Sequence, residues 1–127
     1  MPVTYSFDDT IIVIKAEGSY SVEEMKLAIN TALSDTALPR GSVLMLDMEN
    51  SLSLPDRQAE DMRDMARFLA SRRLKFSSRL GMVAPDEQAY DKLTLGAIVV
   101  ERAGITAKIF RDFESAKAWL LMDPSKG

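Results

Sequence analysis

The stretch LMLDMENSLSLPDRQAEDM, Leu44 to Met62, changes character three times, and its reading decides the fold. It opens on an apolar run that, with Val43, suits a strand covered on both faces. The run is expected to end at Asp47. A serine-rich turn between acidic residues follows, and then the charged start of a helix, in which Ala59, Met62, Ala66 and Leu69 recur at helical spacing with Met65 beside the stripe. This helix is expected to run to about Ser71. Two roles fit the serines of the turn. Ser53 stands three residues before Asp56, where its hydroxyl would cap the helix while Pro55 occupies the first turn, a position at which a missing N–H does little harm. Phosphate on Ser51 or Ser53 would be attracted by a helix N-terminus but repelled by Asp47, Glu49 and Asp56. The cap is the favoured reading.

Upstream of this unit, Val3, Tyr5 and Phe7 alternate with polar residues, Asp8 and Asp9 make a turn, and Ile11 to Ala16 run largely apolar. This pattern predicts an opening β-hairpin, ended by Gly18. Ser21 and Glu24 form a capping box, and Val22, Met25, Ala28, Ile29, Ala32 and Leu33 then share one helical face. Pro39, Arg40 and Gly41 break the chain before the decisive strand. Downstream, Arg79 to Ala84 reads as a short strand closed by Pro85. Asp86 is placed to cap a third helix whose inner face is Ala89, Leu93, Ala97 and Val100. Gly104 follows as the helix stop, Ile105 to Phe110 as the last strand, and Asp112 as the cap of a closing helix that buries Ala116, Trp119 and Leu120.

The predicted order is therefore ββαβαβαβα: an α/β layered fold with a mainly parallel sheet and one antiparallel edge from the opening hairpin. The length of 127 residues is that of one domain. In such sheets ligands and partners sit beyond the carboxyl ends of the strands. Here those ends are Asp47 to Ser53, Pro85 with Asp86, and Arg111 with Asp112.

Composition closes several chemistries. The chain has no Cys and no His, so it has no disulfide, thiolate nucleophile, Ser-His-Asp relay or imidazole metal ligand. A net charge of −3 argues against general nucleic-acid affinity. No apolar run approaches the roughly 20 residues of a membrane-spanning helix, and the amino terminus shows no secretory signal, so a cytoplasmic protein is expected. The basic cluster Arg72, Arg73, Lys75 and Arg79 reads as a solvated helix end. A receiver-type phosphoaspartate at Asp47 is excluded, because Asp8 and Asp9 lie in the hairpin turn and Lys108 inside a strand. The chain holds eight methionines, and Met45, Met48, Met62 and Met65 flank the strand-helix unit. Flexible thioethers suit core filling or an adaptable apolar pocket.

The element order, the strand VLMLDM leading through a serine-containing turn into an amphipathic helix, and the terminal KIFRDFESAKAWL together resemble bacterial STAS domains, above all the SpoIIAA-like group. The resemblance covers nearly the whole chain. It implies a STAS/SpoIIAA-like fold and a non-enzymatic regulatory module that binds a partner protein. In the anti-sigma factor antagonist branch, a kinase phosphorylates a serine at the start of the second helix within an Asp-Ser-Ser-Gly type motif; this chain has Pro55, Asp56, Arg57 and Gln58 there. Some SpoIIAA-like proteins are grouped with CRAL-TRIO-like lipid binders, which implies a small apolar ligand as the alternative function. The candidate regulatory or interaction residues are Asp47, Asn50, Ser51, Ser53, Asp56 and Arg57. No cofactor and no metal are expected. An unidentified regulatory protein is the expected partner, and a homodimer is left open. The third reading is a carboxylate-dependent enzyme using Asp47 and Asp86.

Overall fold

The structure, a computed structural model, describes residues 2–51 and 58–122. It contains strands β1 (Val3–Asp8), β2 (Ile11–Gly18), β3 (Val43–Ser51), β4 (Arg79–Val83) and β5 (Thr106–Phe110), and helices α1 (Val22–Leu33), α2 (Ala59–Ser71), α3 (Glu87–Arg102) and α4 (Phe113–Leu121). The predicted order holds. One sheet runs β1-β2-β3-β4-β5, with β1 antiparallel to β2 and every later pair parallel.

Because each new parallel strand adds on the same side of the last, crossovers of one hand carry their helices to one face of the sheet. Helices α1, α2 and α3 accordingly form a layer there, and α4, which follows the last strand, folds back over the other face against β3, β4 and β5. Strand alternation divides the core in the same way. Ile12, Ile14, Leu44, Leu46, Leu80 and Met82 face the three-helix layer. Ile11, Val13, Val43, Met45 and Val83 face α4, which closes on them with Ala116 and Leu120. Gly81 lies under α4, where a Cβ would come within 3.1 Å of a Leu120 methyl.

The local signals act as predicted. Ser21 Oγ accepts from the Glu24 N–H and the Glu24 carboxylate accepts from the Ser21 N–H, closing the capping box of α1. Asp86 accepts from the Ala89 N–H at 2.8 Å, and Asp112 from the Ser115 N–H and hydroxyl. The hairpin turn falls on Asp9, at φ 57°, and Thr10.

Three expectations are corrected. Strand β3 does not end at Asp47 but continues to Ser51, because β2 keeps pairing with it past an irregularity: Lys15 opposes Asp47, and Glu17 opposes Asn50. Two residues of β3, Met48 and Glu49, thus stand against Ala16 alone, which is a β-bulge. Helix α2 begins at Ala59, which is exposed, and its N-cap is Gln58, whose N–H donates to the Asp61 carboxylate at 3.1 Å. The predicted cap Ser53 lies outside the described residues. Finally, Arg79 does not belong to a solvated basic end. It is buried at the start of β4, its guanidinium 4.1 Å from the Trp119 ring and donating to the Trp119 carbonyl at 2.8 Å. A cation there adds a second hydrogen bond to a carbonyl that already accepts from the Met122 N–H, and meets the negative end of the α4 dipole.

Candidate functional site

The end of β3 projects the predicted site residues in two directions. Asp47, on the α4 face, is 5% exposed, and its carboxylate accepts from the Glu49 N–H at 3.1 Å, the local closure expected of an acid at a strand end. The bulge then turns the chain, so that Glu49 and Asn50 are exposed while Ser51 is buried. The Ser51 hydroxyl is shielded from solvent and has no hydrogen-bond partner among the described residues. Ser53, Asp56 and Arg57 lie outside the described residues. Asp86 is taken up as the cap of α3. Among the described residues no cluster of acids is placed to hold a metal ion.

The same strand ends border an apolar cavity that the sequence signalled only in part. It lies between the sheet and the three-helix layer, floored by Leu46, Met48, Leu80 and Met82 and roofed by Met62, Met65, Ala66 and Leu69 of α2, with Met25 of α1 and Gly96 of α3 at its sides. Five of the eight methionines line it: Met25, Met48, Met62, Met65 and Met82. Met45 does not, because strand alternation sends it to the α4 face while the even-numbered positions around it face the helices. The Tyr20 hydroxyl, in the lining, donates to Met48 Sδ at 3.9 Å. Asp61 is the charged residue of the lining. The cavity volume of about 70 Å³ is well below the roughly 300 Å³ at which small-molecule pockets begin.

The roof is the lightly held part of the fold. Of the 13 residues of α2 only Ala66 and Leu69 are buried, and the helix packs on α3 and, less extensively, α1, with the cavity separating it from the sheet. Its ties to α1 are polar. Lys26 Nζ meets the Asp64 carboxylate at 2.7 Å, and Arg72 Nε donates to Asn30 Oδ1 at 2.7 Å. The Phe68 ring sits between these cations, 3.8 Å from the Arg72 guanidinium and 5.8 Å from Lys26 Nζ. The hydrogen bond from Lys26 holds the Asp64 carboxyl below the usual carboxylate range and raises Lys26 above its own. Few buried residues and little direct packing on the sheet are the marks of an element that opens before the rest of a domain.

A mainly parallel five-stranded sheet with an antiparallel first strand, three helices on one face and a closing helix on the other defines a STAS/SpoIIAA-like fold. The comparison with solved structures agrees. The chain superimposes on the crystal structure of an uncharacterized protein of the DUF3478 family with a SpoIIAA-like fold, from Shewanella loihica PV-4, with a TM-score of 0.59 and 18% sequence identity over 93% of this chain and 91% of the other. At that identity the likeness is one of fold. No protein-family model and no curated protein matches the chain.

Proposed function

We infer that the protein is a non-enzymatic regulatory module of SpoIIAA-like fold whose second helix responds to a small apolar ligand. The observation that carries this reading is the methionine-lined cavity at the carboxyl ends of β3 and β4, roofed by a helix that rests mainly on other helices rather than on the sheet. Thioethers on three rotatable bonds rearrange at little cost. A ligand larger than a few carbons enters the space of about 70 Å³ only if these side chains swing aside or α2 lifts. Either movement displaces α2 relative to the end of β3, and so changes the surface that the exposed Asn50 and the first turn of α2 offer to a partner protein. Asp47 holds the turn of the strand end through the Glu49 amide.

The lining also selects the ligand. Asp61 in the lining opposes an anionic head group, so the preferred ligand is neutral or cationic rather than a fatty acid. Thermal melting with octanol, octylamine and octanoate, compounds of equal chain length, tests this. Stabilisation by octanol or octylamine but not by octanoate is expected. No shift with any of them, together with an organic extract of host-purified protein that holds no retained compound by mass spectrometry, would remove the ligand from the account. The partner surface is tested separately by capture from the host's own extract: reversing the charge at Asp56 or Arg57 abolishes capture at unchanged stability, and undiminished capture places the interaction elsewhere.

A further inference from the structure

The outward face of α3 carries an apolar stripe that no described element covers. Leu95 is 57% exposed and Ile98 44%, although the opposite side of the helix buries Ala89, Leu93, Ala97 and Val100. Asp91 stands four residues before Leu95, and Arg102 four residues after Ile98. The steps of four, three and four are those of a seam along which two helices pack. Its chemistry runs acid, apolar, apolar, base, and that order is its own complement when reversed.

We propose that this face pairs with a second copy of the chain, α3 against α3 in antiparallel, about a two-fold axis passing between Gly96 and Ala97. One axis satisfies the whole seam. It sets Leu95 against the second copy's Ile98, and Asp91 against the second copy's Arg102. Isologous contacts require that residue i meet j while j meets i, and the opposite charges at 91 and 102 meet that condition. A parallel pairing would oppose like charges along the helix and is disfavoured. The seam is about 16 Å long at 1.5 Å per residue, which places the contact at the low end of specific interfaces, below about 1,200 Å². The dimer is therefore a weak one, formed at high micromolar concentration. It lies on α3's outer face and leaves the cavity mouth open.

Sedimentation velocity on the full chain, up to ~1 mM, tests the proposal. A monomer converting to a dimer with rising concentration is expected. Asp91→Arg and Arg102→Asp should each weaken the dimer about tenfold or more. The chain carrying both changes should regain it, and an equimolar mixture of the two single variants should form a heterodimer tighter than either homodimer. All four side chains of the seam are exposed, so the melt of Asp91→Arg should stay close to the parent, and Arg102→Asp, which puts an acid in the last turn of α3, should lower it by only a few degrees. A monomer at every concentration overturns the proposal. So does a dimer that neither single change weakens, or a loss that neither the double change nor the mixture restores.

Discussion

The same small substitution at two glycines should act in opposite directions, and the reason is geometric. Gly96 lies in the interior of α3 with no positive φ, and a Cβ there would meet only the Met62 Cε at 3.4 Å, the free end of a flexible side chain. A helical glycine costs about 0.8–1 kcal/mol relative to alanine, and ordinary contact with a thioether methyl takes back little of that. Gly96→Ala should therefore stabilise the protein by about 0.5–1 kcal/mol. Gly81 lies in β4, and its Cβ would come within 3.1 Å of Leu120 Cδ1 and 3.3 Å of Cγ, on a side chain only 3% exposed and closed in by the second core. Overpacking of this kind costs about 1–3 kcal/mol, offset by about 0.5–1 kcal/mol from the lower unfolded-state entropy of alanine. The net loss should be about 0–2.5 kcal/mol, toward the upper part because Leu120 has little room to shift. Urea unfolding followed by circular dichroism, with an unchanged m-value, reads both effects. Trimming the partner supplies a check, since Gly81→Ala combined with Leu120→Val should lose less than the sum of the two single changes. Additive behaviour with Leu120→Val would refute the seating of α4 on β4.

Arg79→Ala should cost about 2–3 kcal/mol, since it removes a charged hydrogen bond and a cation–π contact at once; Arg79→Met keeps the stem, removes the unpartnered Nε, and should cost about 1 kcal/mol in the same urea assay. Alanine at Ser21, Asp86 or Asp112 should each lower stability by about 1 kcal/mol, and the three losses should add because the caps sit on separate helices. The tie between Lys26 and Asp64 is pH-dependent at both ends. Asp64 is depressed below 3.8 in the folded state, so its contribution is present above that value and lost as pH falls through the folded one; Lys26 is raised above 10.5, so its contribution is present below that value and lost as pH rises through the folded one. Amide hydrogen exchange should show α2 losing protection before α3 under acid, and Asp64→Asn should reproduce this at neutral pH; equal protection of the two helices throughout would contradict the assignment of α2 as the lightly held element.

Features written in adjacent residues were legible in the sequence, and features made by distant pairings were not. The caps at Ser21, Asp86 and Asp112 and the inner face of α3 are local and appear where the pattern puts them. The extension of β3 to Ser51 depends on β2, some thirty residues earlier, continuing to pair across a bulge, and nothing in ENS itself announces it. Arg79 reads as one member of a basic cluster until α4, 40 residues on, brings Trp119 over it. The cavity was half visible. Met48, Met62 and Met65 were singled out by their place beside the turn, but Met25 and Met82 join them only through the topology. Alternation along Val43 to Met48 was the available signal that Met45 belongs to the other face.

Methyl NMR of protein labelled at the methionine Cε groups, recorded with and without xenon pressure, tests the central claim most directly. Xenon enters small apolar cavities without needing a head group, and the methionines divide between the two faces of the sheet. The cavity beneath α2 predicts shifts at Met25, Met48, Met62, Met65 and Met82, with Met45 on the opposite face unmoved. A spectrum that does not respond, or one in which Met45 moves as much as the other five, would contradict it.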